Sequence, residues 1–187
     1  MKNFQKRKLS ALLIGILFSG LISVSSAMAA DISLQNMSLL NDSLVVLIPQ
    51  NLKLLTADEA KITYRYEGRP GVIFSSADNS VNLTFDYTKN KVTEDSIAGQ
   101  NSNFAANYKN IYPGAEKLGE EVIDVNGKKI GYTEYIVPLN NEFKKYILTF
   151  FAVVKGRLLI CNFMCYSTDM ATWQPIAKQI MNSLTFK

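Results

Sequence analysis

The sequence predicts an α+β fold, an α/β/α sandwich with a mainly antiparallel sheet and about three helices. Three observations predict it. Residues 117–166 read as an unbroken run of four strands joined by short turns, which is antiparallel meander chemistry. One of those strands, 146–154, is apolar at nearly every position and so belongs inside a sheet covered on both faces. Residues 93–112 and 172–184 instead carry apolar side chains at helical spacing, giving one stripe each to lay on that sheet.

The N-terminus is read separately. Lys2, Lys6, Arg7 and Lys8 precede an apolar run over 9–24, and small residues follow up to Ala27-Met28-Ala29. This is the layout of a secretory signal peptide, with cleavage expected between Ala29 and Ala30. A retained transmembrane anchor is the alternative. The run is broken by Ser19, Gly20 and Ser23 and falls short of the roughly 20 apolar residues a span requires. No cysteine lies near the cleavage site to accept a lipid. The expected destination is the periplasm or the cell exterior, with no stable membrane span after cleavage.

Cleavage changes the charge. Residues 1–29 hold four basic residues and no acidic one, so the chain's 20 basic residues fall to 16, against 16 acidic, a balance of zero. A nucleic-acid partner calls for a basic excess or stripe, and neither is present. Residues 30–187 are enough for one domain, which at this size buries roughly 70% of its unfolded surface without a disulfide or metal.

The elements follow in order. Residues 37–40 and 44–48 form a first hairpin around Asn41-Asp42-Ser43, and Pro49, lacking a backbone donor, stops the second run. Thr56-Ala57-Asp58-Glu59 matches a capping box opening a short helix to about Tyr64. Strands are expected at 72–76 and 81–87; in the second, Val81, Leu83, Phe85 and Tyr87 alternate with Asn82, Thr84 and Asp86, which predicts one polar face. Thr93 is placed to cap the next helix, Glu94 and Asp95 suit its positive end, and Pro113-Gly114 lies past its end. Its stripe is Ile97, Phe104, Ala105, Tyr108, Ile111 and Tyr112, and the Asn, Gln and Ser residues around it read as a solvated face. The meander runs 117–124, 128–139, 143–154 and 157–166, with Asn126-Gly127 as its clearest turn signal. The last helix carries Trp173, Ile176, Ala177, Ile180 and Leu184 on one face, with Pro175 expected in its first turn. The first two helices are expected to act as crossovers.

This pattern resembles the PsbP/DcrB-like superfamily of α/β/α sandwich proteins. The resemblance is carried by 45–49 running into proline, by Arg69-Pro70-Gly71-Val72-Ile73-Phe74 beside 81–85, and by 176–183 running into Leu184-Thr185-Phe186. It implies a protein without enzymatic activity. Members include periplasmic lipoproteins, accessory subunits of photosystem II and chaperones of secreted effectors. The missing acceptor cysteine departs from the lipoproteins, and the signal peptide departs from the cytoplasmic chaperones.

Chemistry narrows the function further. The chain has no histidine, which removes Ser-His-Asp and Cys-His catalysis and histidine-based zinc sites. It contains no G-x-S-x-G elbow, P-loop or dinucleotide fingerprint, and no cofactor is expected. Asp58-Glu59, Glu94-Asp95 and Glu120-Glu121 are the carboxylate pairs a glycoside hydrolase would need. Two lie at helix starts and the third points to opposite faces of a strand, so all three read as surface charge. Cys161 and Cys165 lie four apart on one strand, a span of about 13 Å, too far for a disulfide, and read as small buried hydrophobes. The candidate partner-binding residues are Tyr64, Arg65, Tyr66 and Arg69, types enriched at interfaces; the competing reading has them covering the sheet edge. The aromatic stripe Phe104, Tyr108 and Tyr112 reads as core rather than as a ligand box. The expected function is a non-enzymatic envelope interaction module with an envelope protein partner. A carrier of a small apolar ligand or lipid is the alternative, and a carboxylate hydrolase stands third.

Overall fold

A computed structural model describes residues 32–187, so the expected signal peptide and its expected cleavage site at Ala29 and Ala30 lie outside the described residues. The elements in chain order are β1 (Leu34–Leu39), β2 (Leu44–Pro49), β3 (Lys53–Leu54), α1 (Ala57–Thr63), β4 (Val72–Ser75), β5 (Asn82–Lys91), α2 (Ile97–Ile111), β6 (Glu116–Val125), β7 (Lys128–Pro138), β8 (Lys144–Val154), β9 (Arg157–Tyr166), α3 (Met170–Asn182) and β10 (Thr185–Phe186). The class is α+β, as expected, with mainly antiparallel pairing and three α-helices among the described residues.

Seven strands form the main sheet in the order β3-β4-β5-β9-β8-β7-β6. The meander β6 to β9 occupies more than half of it, and its turns explain why. Asn126 and Gly127 have φ of 52° and 76°, and Lys155 and Gly156 have 47° and 75°. Positive φ at both central residues gives the twist that lets two strands leave a two-residue turn antiparallel. Between them, Asn140 Oδ1 accepts hydrogen bonds from the backbone N–H groups of Glu142 (2.9 Å) and Phe143 (2.8 Å) and closes the third turn.

β8 is buried from Tyr146 to Val154 on both faces. One face presents Leu148 and Phe150, alongside Leu83, Phe85, Cys161 and Phe163 of neighbouring strands, to α3. The opposite face presents Phe151 and Ile147 to α2. Both cysteines are free and buried, packed among these hydrophobes.

The first hairpin does not join the main sheet. β1 and β2 pair with each other, and β10 adds to β2 to make a separate three-stranded sheet. This small sheet lies with α3 over one face of the main sheet, so Leu44, Val46 and Ile48 are fully buried beside Trp173, Ala177 and Ile180. Asn126 Nδ2 donates to the Leu184 carbonyl at 2.8 Å, and Leu47 N–H donates to Ser183 Oγ at 2.9 Å, so both layers are tied at the C-terminal end of α3.

Several local expectations are corrected. Thr56 and Glu59 do make a full capping box. Thr93, however, makes no side-chain cap, because a 3-10 turn over Glu94–Ser96 precedes α2. Glu94 and Asp95 reach across to Lys128 (2.6 Å) and Lys129 (3.6 Å) on β7. α1 buries no residue and links two adjacent antiparallel strands, so only α2 is a crossover. The polar face of β5 is covered: Asn82 is 5% exposed and Thr84 1%. Asn101, expected on the solvated face of α2, is buried and donates to the Glu121 carbonyl at 3.2 Å. Pro175 lies inside α3 rather than in its first turn, since the helix starts at Met170.

α2 approaches β7 closely at Gly131, where a Cβ would sit 2.5 Å from the Phe151 ring and 3.2 Å from Ile97. Both neighbours are fully buried and have no room to retreat. Gly131→Ala is expected to destabilise the fold by about 1–3 kcal/mol through overpacking. Urea unfolding checks it: the midpoint should fall with the slope unchanged.

Candidate functional site

Two places in this framework combine convergent polar groups with burial. The first is a groove between α2 and the floor formed by β8 and β9. It is lined by Phe104, Asn107, Tyr108, Ile111, Tyr112, Thr149, Ile160 and Asn162 and encloses about 230 Å³. It exists because α2 lies over β6, β7 and part of β8 and stops short of β9. Phe104 stacks on Phe151 at 4.8 Å between ring centres, and Tyr108 stacks on Tyr135 at 4.6 Å and on Tyr112 at 5.6 Å. Half of the expected core stripe is thus core, and its other flank is a wall of the groove. Ile111 is 66% exposed and does not pack as the stripe predicted.

The groove floor is polar. Strand register brings Thr133, Thr149, Asn162 and Thr84 into one row across β7, β8, β9 and β5. Thr149 Oγ1 donates to Asn162 Oδ1 at 2.7 Å and lies 2.7 Å from Tyr108 Oη. A hydroxyl carries one proton. Since Thr149 gives its proton to Asn162, Tyr108 must donate to Thr149. Burial, foremost, pushes the Tyr108 phenol up to about 12, which keeps it a donor. The chain of donation ends on Asn162, whose amide nitrogen donates to nothing among the described residues. No charged side chain lines the groove. Asp86 is level with Ile160 in the β5–β9 register, outside the lining; burial raises its pKa.

The second place is Glu134 on β7, a residue the sequence reading passed over. It is 2% exposed beneath α3. Its Oε1 accepts from Tyr146 Oη at 2.8 Å and Gln174 Nε2 at 2.6 Å, and its Oε2 pairs with Lys178 Nζ at 3.0 Å. Burial by itself raises its pKa, but the Gln174, Tyr146 and Lys178 contacts outweigh this and leave it below the ordinary value. The same burial and the adjacent carboxylate push the Tyr146 phenol up. Both carboxylate oxygens are engaged, Oε1 twice and Oε2 by Lys178, so this cluster fastens α3 to β7 and β8. Its sequence signal was the period-two pattern of β7, which puts Glu134 on the same face as Ile130 and Tyr132.

The sequence-predicted residues are placed as follows. Tyr64 and Tyr66 meet edge to face at 6.1 Å in the segment between α1 and β4. Arg69 donates to the carbonyls of Tyr66 (2.9 Å) and Tyr64 (3.4 Å), and Arg65 to that of Ile62 (3.4 Å). Both guanidinium groups therefore cap local backbone. Tyr66 and Ile62 remain 54% and 69% exposed. The three carboxylate pairs serve turns and ion pairs: Glu59 with Lys53 (2.6 Å), Asp58 with Lys61 (2.9 Å), Glu94 with Lys128 (2.6 Å), Asp95 with Lys129 (3.6 Å), Glu120 with Lys117 (3.1 Å), and Glu121 accepting from Tyr132. The Lys53 contact, ahead of the capping bonds, holds Glu59 down to about 2. The α2 groove has no carboxylate in its lining. Among the described residues no cluster of three acidic or cysteine side chains is set to hold a metal, and no helix is long and apolar enough to cross a membrane.

No protein-family model matches the chain, and no curated protein matches it by sequence. Solved structures do. The solution structure of cyanobacterial PsbP (CyanoP) from Synechocystis sp. PCC 6803 is similar with a TM-score of 0.61 over 83% of this chain and 93% of that one, at 17% identity. The chain has the fold of PsbP. LpqN, described as involved in cell envelope biogenesis of Mycobacterium tuberculosis, is similar with a TM-score of 0.53 over 84% of this chain and 92% of its own, at 12% identity. At these identities what is shared is the fold.

The Glu134 cluster makes stability depend on pH. A carboxylate with a lowered folded-state pKa contributes stability that is complete above its unfolded pKa and is lost as pH falls through the folded value. Glu134→Gln is expected to cost about 1–3 kcal/mol at neutral pH and to flatten the fall in stability below about pH 4.5. Denaturation midpoints measured from pH 7 to pH 3 check both effects.

Proposed function

We propose that the chain is an exported, non-enzymatic binding module of the cell envelope that engages a protein partner through its α2 face. The α2 groove carries the reading. It joins aromatic walls, an uncharged lining and an amide donor with no partner, which is the composition of a recognition surface. The acidic residues support it from the other side, because each pair that might have served hydrolysis is engaged in a cap, an ion pair or a strand contact. Export rests on the basic and apolar segment before Ala29 and Ala30. The description of LpqN, which shares the fold, agrees with an envelope role.

The alternative, a carrier of a small apolar ligand, draws on the same groove but is limited by its size. Its roughly 230 Å³ is below the ~300–1,000 Å³ usual for sites that swallow a ligand whole. A lipid tail would stay mostly in water. Tyr64, Arg65, Tyr66 and Arg69 make a secondary contact surface in this proposal, through the exposed Tyr66 ring, Ile62 and the N–H groups of Arg65 and Arg69 that the local carbonyls leave free.

Two measurements test the proposal. Intact mass of protein recovered from the periplasm or medium should correspond to a chain beginning at Ala30. Capture from envelope extract should return a partner with the wild type and lose it with Ile111→Asp, a change at an exposed position expected to alter stability by under about 0.5 kcal/mol. Recovery of the same proteins by both baits would refute the α2 face, and an uncleaved chain held in the membrane would refute export.

A further inference from the structure

Taking the α2 groove as a binding surface, we infer that it is an anchor pocket for a tyrosine side chain of the partner polypeptide. A dry cavity of about 150 Å³ accommodates benzene, so the groove's roughly 230 Å³ holds one ring with a substituent and little more. The exposed aromatic flank of Phe104 and Tyr112 suits an offset or edge-on ring, with Ile111 and Ile160 closing on its sides.

The floor then selects among rings. The proton count through Tyr108 and Thr149 spends the Asn162 carbonyl and leaves its amide as a donor. Turning that amide over would reverse the whole chain and leave the Tyr108 hydroxyl as the donor instead, so the floor offers a proton in either case. A ring reaching it gains from an acceptor at its far end, as a phenol oxygen is and a plain phenyl carbon is not. The acceptor must be neutral. The lining holds no cation to pair with an anion, and Asp86 beside Ile160 repels one.

The open shape decides the source of the ring. A free one-ring molecule would be only partly enclosed, whereas a ring carried on a polypeptide is held by its neighbours as well. Ile111, 66% exposed at the mouth, provides apolar surface for those neighbours. Tyrosine anchors in such pockets are typical hot spots of protein interfaces.

The test uses the exported protein labelled for amide and isoleucine-methyl NMR, titrated with N-acetyl-L-tyrosinamide and with N-acetyl-L-phenylalaninamide. Both are expected to shift the Ile111 and Ile160 methyl signals. The tyrosine compound should bind roughly fivefold more tightly, about the worth of one neutral hydrogen bond, and should alone shift the Asn162 side-chain amide. Asn162→Val combined with Tyr108→Phe, which removes the floor's donor in either orientation, should erase that preference while the ring still binds. Equal affinities for the two compounds in the wild type, or no shift at Ile111 and Ile160, would overturn the inference. The binding-face proposal is judged separately: loss of partner capture in Ile111→Asp without any tyrosine preference sinks the anchor alone, and failure of both sinks the two together.

Discussion

β8 cannot face water on either side. Between Tyr146 and Val154 its side chains point alternately to two faces, and the hydroxyls of Thr149 and Tyr146 are the side-chain polar groups among them. At about 25 cal/mol per Å² of apolar surface, leaving either face open would cost several kcal/mol, a large part of a domain's net stability. Both faces must therefore be covered, and a three-layer arrangement follows. The meander that carries β8 closes quickly through local turns. The covering layers come from distant parts of the chain: α2 from before the meander, and the first hairpin with α3 and β10 from its two ends.

The two covers differ in quality, and the difference creates the site. The α3 face is sealed by a helix and a small sheet together, and it tolerates a buried carboxylate only because Glu134 has a hydrogen-bond or charge partner for each oxygen. A charge placed there without partners would be prohibitive. The α2 face has one helix over a seven-stranded floor. A single helix is about 10 Å wide and strands are about 4.8 Å apart, so it cannot roof the whole sheet. The floor there carries a row of threonine and asparagine rather than leucine and valine; Thr133, Thr149 and Thr84 are at most 1% exposed, and the burial of Thr149 is offset by its hydrogen bonds to Tyr108 and Asn162.

The same contrast shows in how the aromatic residues are used. Phe163 and Trp173, 5.7 Å apart on the α3 side, are packed inside the core. Phe104, Tyr108 and Tyr112 on the α2 side each give one face to the core and keep another at the groove. A residue that fills two roles in this way cannot be assigned to core or ligand box from spacing alone, because both roles require the same apolar ring at the same helical interval.

Local chemistry was enough to read the class, the meander, the Asn126-Gly127 turn, the Thr56 capping box and the burial of β8, because each depends on neighbours within a few residues along the chain. Ends of elements were read less well where a 3-10 turn intervened, as at Glu94–Ser96, or where a proline was absorbed inside a helix, as in α3. What the sequence could not contain was the pairing of distant pieces. The first hairpin joined β10 rather than the main sheet, Glu134 met Lys178 and Gln174, and Tyr108 met Thr149 and Asn162 only once strand register and helix placement were settled. A hydrogen bond between side chains 41 residues apart leaves no periodic trace in the chain. Its partners are selected by the packing of whole layers, and the groove is what that packing leaves open.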